Sequence, residues 1–219
     1  MLQKGFFMTL EGPEGSGKST QARWLVRALR TRGYPVVWLR DPGSTTLGRA
    51  LRRVLLHASA SLSPMTEALL FIGGRVVLVE ERILPALRRG ALVVCDRFHD
   101  STVVYQGFGG GLDVAWLDRV GRQAIHHVMP GLTLLLDVPT TQGLARLRRA
   151  KDRMERKVLA FHRRVRAGYL HRARREPRRM VVVDASCSPQ QVHARIIEVV
   201  MNRLALVFLV TCHWSLVAG

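Results

Sequence analysis

Five short apolar runs set the strongest limit on what this chain can fold into. They are Gly5-Phe-Phe-Met-Thr-Leu10, Pro35-Val-Val-Trp-Leu39, Ala91-Leu-Val-Val-Cys95, Thr133-Leu-Leu-Leu-Asp137 and Met180-Val-Val-Val-Asp184. Each is nearly continuous in apolar residues, as strands covered on both faces are. Helical patterns separate them. This alternation predicts an α/β fold with a parallel sheet. Every run ends at or beside an acidic residue: Glu11, Asp41, Asp96, Asp137 and Asp184. In open parallel sheets, ligands gather at those carboxyl ends.

The helical patterns are read over 18–32, with Ala22, Leu25, Val26 and Leu29 on one face, and over 64–89, with a break or kink at Pro85. Others span 114–126 and, as one helix or two, 141–175. A last helix starts at Ser188-Pro189, where Gln191 closes a capping box. A length of 219 residues without repeats or linkers predicts one domain over residues 1–203. The remainder, 204–219, reads as an apolar tail, and its 14-residue core is too short to span a bilayer comfortably. Three scattered cysteines and no secretory signal fit a cytoplasmic setting and argue against a disulfide framework or a zinc site.

The net charge of +18 points to anionic partners. Residues 146–179 hold 13 Arg and two Lys against three acidic residues. For an ordinary charge run a solvated face is the better reading. The functional one is an arginine-bearing segment that closes over phosphates.

Gly12-Pro-Glu-Gly-Ser-Gly-Lys-Ser19 matches G-x-x-x-x-G-K-[ST], between a predicted strand and a predicted helix. Glycines let the backbone wrap a phosphate chain, and the helix N-terminus favours its charge. The triphosphate site is therefore assigned to Gly12, Pro13, Glu14, Gly15, Ser16, Gly17, Lys18, Ser19 and Thr20. Lys18 reaches the β- and γ-phosphates, and Ser19 can ligate Mg²⁺.

Four ordered blocks resemble the bacterial thymidylate kinases. They are Phe6–Ala22; Arg40-Asp-Pro-Gly-Ser-Thr45 with Gly48; Asp96-Arg-Phe98 with Ser101-Thr102 and Tyr105-Gln-Gly107; and Asp152-Arg-Met-Glu155 followed by Phe161–Tyr169. The resemblance implies a P-loop fold of five parallel strands in the order 2-3-1-4-5. It also implies ATP-dependent phosphorylation of dTMP to dTDP, with Mg²⁺ as cofactor and a homodimeric assembly.

Residue roles follow from the same resemblance. Arg97 would hold the acceptor monophosphate, for which a planar guanidinium is suited. Asp96 would pair with it or hold Mg²⁺-bound water. Phe71 would stack on thymine, Arg75 would donate to a base carbonyl, and Thr102 would touch the base edge. Ser101 fits the motif without a defined role. Tyr105 would exclude a ribose 2′-hydroxyl, and Glu14 would approach the acceptor sugar or phosphate. Arg153 is the lid cation by motif, with Arg148 or Arg149 as helpers and a lid over about 146–157.

Asp41 replaces the family's usual Glu and Ser44 its frequent Gly, while Gly73-Gly74 and Val77 depart from the pattern after Phe71. The rival readings are a nucleotide kinase with a different acceptor base and a weakly active P-loop protein that binds nucleic acid. The set Arg75, Thr102 and Tyr105 argues against the first. The clustering of positive charge at the lid argues against the second.

Overall fold

The computed structural model describes residues 5–57, 62–147 and 152–217, with side chains as far as Val207. In chain order the elements are β1 (Phe6–Glu11), α1 (Lys18–Thr31), β2 (Val36–Arg40), α2 (Thr46–His57), α3 (Pro64–Leu78), α4 (Leu84–Arg88), β3 (Leu92–Asp96), α5 (His99–Thr102), α6 (Val114–Ala124), β4 (Leu132–Asp137), α7 (Thr140–Ala145), α8 (Leu159–Arg175), β5 (Met180–Asp184) and α9 (Pro189–Val217). The strands form one sheet in the order β2-β3-β1-β4-β5, and every neighbouring pair runs parallel. Each predicted strand is present within one residue of its expected bounds.

Alternation along β1 builds a core on each face of the sheet. Met8 and Leu10 face α1 and α9, where Leu25, Leu29, Val192, Ile196 and Leu204 close over them. Phe7 packs on the other face with Leu78, Ile83 and Phe98. Each fully buried Leu or Phe contributes about 1.5–3 kcal/mol. The hydroxyls of Thr9 and Thr133, aligned by the β1–β4 register, satisfy each other at 2.9 Å inside the sheet.

The stretch over 64–89 does not break at Pro85. Between α3 and α4 the helix widens into a π segment, Val79–Ile83, where Leu84 N–H bonds to Val79 O. Pro85 has no N–H to donate and its ring crowds the preceding turn, so widening just before it keeps the helix continuous. The region over 141–175 resolves into two helices, α7 and α8. The sequence reading missed α2.

The capping box at the start of α9 is present: Ser188 Oγ accepts from Gln191 N at 3.3 Å, and Gln191 Oε1 accepts from Ser188 N at 3.1 Å. Helix α9 runs past Arg203 without interruption. Leu204 is buried in the core, whereas Leu206 is exposed. Among the described residues, no helix is long and apolar enough to cross a membrane.

Candidate active site

Between the end of β1 and the start of α1 the chain turns through a loop in which Gly12, Gly15 and Gly17 all have positive φ. A Cβ on Gly15 would lie 1.8 Å from Gly143 O, so α7 packs directly on the loop. Lys18 Nζ donates to Pro13 O at 2.7 Å and to Ser16 Oγ at 3.2 Å. Burial and the nearby Arg97 guanidinium bring its pKa down to about 8, against the pull of Glu14, Asp96 and Glu11. Ser19 Oγ donates to Asp96 Oδ2 at 2.6 Å, which joins the two expected cation ligands across the loop and β3.

Arg97 follows β3 with φ 69°. A non-glycine residue held there costs about 1–3 kcal/mol and marks a site whose surroundings fix it. Its N–H bonds to Leu10 O at 3.0 Å. Its Nη2 donates to Glu14 Oε1 at 2.9 Å and to Tyr105 OH at 3.0 Å. Its Nη1 donates to Ser101 Oγ at 3.2 Å and Tyr169 OH at 3.3 Å. Tyr105 OH in turn donates to Glu14 Oε1 at 2.6 Å. Burial pushes the Glu14 carboxyl up, but the cations Arg97 and Lys18 outweigh it and hold it at about 2.

Behind Arg97 lies Glu11, which accepts from Phe98 N at 2.7 Å, Ser101 Oγ at 2.6 Å and Tyr169 OH at 2.8 Å. Burial, then repulsion from Asp100, pushes its carboxyl up to about 7 against Arg97 and these hydrogen bonds. The structure thus places Ser101 beneath the arginine, as a link between it and a buried carboxyl.

A second wall comes from α3 and the π segment Val103–Gly109, which carries Tyr105 and Gln106. Irregular helical turns of this kind occur often at functional sites. Arg75 is 1 % exposed. Its Nε donates to Asp41 and its Nη2 to Thr102 Oγ1 at 2.9 Å. Burial raises the pKa of Asp41 while Arg75 opposes the rise.

One cleft of about 410 Å³ joins these parts. Glu14, Lys18 and Ser19 line it together with Phe71, Arg75, Asp96, Arg97, Ser101, Thr102 and Tyr105. Three atoms on its lining residues, Arg75 Nη1, Asp41 Oδ1 and Gln106 Oε1, are buried and have no hydrogen-bond partner among the described residues. Buried polar atoms are rarely left unpaired, so these three still have capacity for a further hydrogen bond. The sequence reading gave no role to Arg40, Arg52 or Gln106, which also line the cleft. Arg40 and Gln106 stood within its motifs, whereas Arg52 lies on the missed helix α2.

The family model described as Thymidylate kinase matches residues 10–196. A thymidylate kinase of Thermomicrobium roseum is 50 % identical over 190 residues, covering 85 % of this chain and 90 % of that one. One from Synechococcus sp. is 48 % identical over 200 residues, covering 91 % and 96 %. The crystal structure of thymidylate kinase from Ehrlichia chaffeensis superposes with a TM-score of 0.75 at 33 % identity, covering 90 % of this chain and 99 % of that one. This chain belongs to the thymidylate kinase family.

Two departures from the thymidylate kinase pattern have visible consequences. Asp41, though one methylene shorter than Glu, still reaches Arg75. A Cβ on Gly74 would lie 2.9 Å from Leu51 Cδ1, so that glycine lets α3 close on α2.

The structure does not bring the lid cation Arg153 to the cleft. Its Nε donates to Leu55 O at 2.9 Å and its Nη1 to Glu67 Oε1 at 2.5 Å. Arg148 and Arg149 lie outside the described residues. Other arginines of the basic stretch act as internal anchors. Arg166 holds the β4-end carboxylate Asp137 through two bonds of 2.8 Å. Arg172 and Arg179 converge on the buried Asp100.

Proposed function

We propose that this protein transfers the γ-phosphoryl group of ATP to the 5′-phosphate of dTMP, giving ADP and dTDP for dTTP synthesis. The observation that carries this reading is the single cleft that holds the phosphate loop and Arg97 beside Phe71, Arg75, Thr102 and Tyr105. The acceptor oxygen is already anionic, so transfer needs no general base. Rate comes from alignment and from charge placed around the moving phosphoryl group.

The loop amides and Lys18 hold the donor phosphates. Arg97 grips the acceptor phosphate and aligns its oxygen with the donor. Glu14 and Tyr105 hold that guanidinium in place until the acceptor arrives, and Tyr105 crowds the position of a ribose 2′-hydroxyl. Phe71 stacks on the base, Thr102 meets its edge, and the unpaired Arg75 Nη1 donates to a base carbonyl. The hydroxyl of Ser19 and the carboxylate of Asp96, 2.6 Å apart, form an oxygen donor set suited to Mg²⁺. When bound there, the ion neutralises charge on the β- and γ-phosphates.

Leu47 and Val54 on α2 and Met65 and Leu69 on α3 expose apolar side chains, which supports a homodimer formed through these helices. The pairing of Arg153, Arg166, Arg172 and Arg179 with carboxylates of this chain supports small phosphorylated substrates over nucleic acid as partners. Cytoplasmic placement and a catalytic domain ending near residue 203 complete the reading.

A coupled assay of ADP release with a panel of nucleoside monophosphates tests the assignment. dTMP is expected to give the highest kcat/KM, and omission of Mg²⁺ to abolish turnover. Preference for another base would overturn it.

A further inference from the structure

Three oxygens behind Arg97 lie within hydrogen-bond distance of one another. Glu11 Oε2 is 2.6 Å from Ser101 Oγ and 2.8 Å from Tyr169 OH, and the two hydroxyls are 2.9 Å apart. Glu11 Oε1 is taken by Phe98 N–H at 2.7 Å. Arg97 Nη1 reaches both hydroxyls, at 3.2 and 3.3 Å, whereas its ion pair is with Glu14. Glu11 and Tyr169 are fully buried.

A count of protons gives this ring a preferred state. Each contact between two oxygens needs a hydrogen, because facing lone pairs repel. A hydroxyl carries one hydrogen and an ionised carboxylate none. Ser101 and Tyr169 therefore supply two hydrogens for three contacts. If both donate to Glu11, the contact between them is left empty. If one turns to fill it, a contact with the carboxylate is left empty. A proton on Glu11 Oε2 fills all three, and each oxygen then donates once and accepts once. Burial acts in the same direction, since it disfavours the charged form, and the carboxyl is pushed up to about 7.

We propose that Glu11 is a positioning residue that works as a neutral acid. It closes the ring that holds Arg97 Nη1 from behind and adds no negative charge there, so the guanidinium keeps its attraction for the acceptor phosphate. The inference rests on the functional reading above. An ionised Glu11 would offset the cation that has to draw in a phosphate. Other groups act on Glu11 from the elements around it. Asp100 on α5 repels it, and Arg97 after β3 attracts it. Burial would raise the Asp100 carboxyl, but Arg179 and Arg172 hold it well below the ordinary range, so it stays charged. Burial keeps the Cys95 thiol on β3 and the Tyr169 phenol on α8 neutral. Lys18 at the start of α1 titrates at about 8.

The test compares kcat/KM for dTMP in the unsubstituted enzyme and in Glu11→Gln at pH 6 and pH 8, on either side of about 7. KM for ATP and thermal melting are measured alongside. Gln is neutral at both pH values, and its NH₂ can fill both contacts of the carboxyl with the hydroxyls. The ratio of variant to unsubstituted enzyme cancels the ionisation of Lys18 and of the dTMP phosphate, which both proteins share. That ratio is expected to rise about fivefold from pH 6 to pH 8, while the corresponding ratio of KM for ATP stays within about twofold. A ratio independent of pH, or an equal change toward ATP, would overturn the proposal. If Glu11→Gln fails to fold, infrared spectra of the unsubstituted protein with isotope-labelled glutamate decide the question. A protonated glutamate carboxyl is expected at pH 6, and saturating dTMP should move its titration to higher pH. Ionisation of every glutamate at pH 6, or a titration that dTMP leaves in place, would overturn the proposal. Absence of dTMP turnover in the unsubstituted enzyme would instead overturn the functional reading.

Discussion

Glu14 Oε1 lies 2.9 Å from Arg97 Nη2, so the arginine assigned to the acceptor phosphate is neutralised before any acceptor binds. Buried cations are costly unless paired. A phosphate entering the cleft would take over a role that Glu14 and Tyr105 fill in its absence.

Replacing Arg97 by Ala is therefore expected to act through the acceptor. Loss of a charge-assisted bidentate contact should lower kcat/KM for dTMP about thirtyfold or more, roughly 2–4 kcal/mol. Affinity for ATP should be nearly unchanged. Steady-state kinetics with each substrate varied in turn checks this, and an equal loss toward ATP would place Arg97 at the donor site.

Tyr105→Ala is expected to relax discrimination against ribonucleotides. The phenol stands at the cleft wall and its hydroxyl is held by Glu14 and Arg97, so its position is fixed. The ratio of kcat/KM for thymidine monophosphate to that for its ribose counterpart should fall. A ratio equal to that of the unsubstituted enzyme would remove the steric role.

The strand-end carboxyls show how far the sequence could be read. Continuous apolar runs located every strand within a residue; burial on both faces explains this for β1, β3 and β4, whereas the edge strands β2 and β5 keep the pattern although Trp38 and Val182 are exposed. The acidic residues at the strand ends were evident too, but their partners were not. Asp137 binds Arg166, Asp41 binds Arg75, and Glu11 takes Ser101 and Tyr169, contacts spanning from 29 to 158 residues. Local spacing carries no record of such pairings. Arg153 was placed at the lid by motif, yet its direction depends on Glu67, 86 residues away. Helix α2 escaped notice although Leu51 and Leu55 lie four residues apart in it, and Arg52 was missed with it.

Glu11 should leave a signature in the pH dependence of stability. Its carboxyl is pushed from an ordinary value of 4.5 up to about 7, first by burial and then by Asp100. Between those values the folded state keeps a proton that the unfolded chain gives up. Stability should therefore fall as pH rises through this window. The buried His99, whose pKa burial lowers, acts in the opposite sense, so the comparison is with Glu11→Gln, which retains His99. Melting temperatures at pH 4.5 and pH 8 are expected to drop more for the unsubstituted protein than for the variant. Equal drops would contradict the assignment.

Gly73→Ala is expected to stabilise the protein by about 0.5–1 kcal/mol. The residue is exposed within α3, and a Cβ there meets no atom within 4 Å. A rise in melting temperature of about 2 °C with unaltered kcat/KM is the expected result. A loss of stability would show that this position needs glycine for a reason beyond packing.

Shortening the chain at Arg203 is expected to cost stability. Leu204 is buried among the α9 contacts to the sheet, whereas Leu206 is 60 % exposed. Removal of 204–219 exposes that part of the core and should lower the melting temperature.

Lys18 and Ser19 line the same cleft as Phe71 and Arg75, so donor and acceptor are expected to bind together in it. Inhibition by a single molecule in which adenosine and thymidine are joined through their 5′-phosphates, with a polyphosphate bridge, tests it most directly. Competition with both ATP and dTMP is the predicted pattern. Competition with only one of them would mean that the two ends of the cleft do not act as one site.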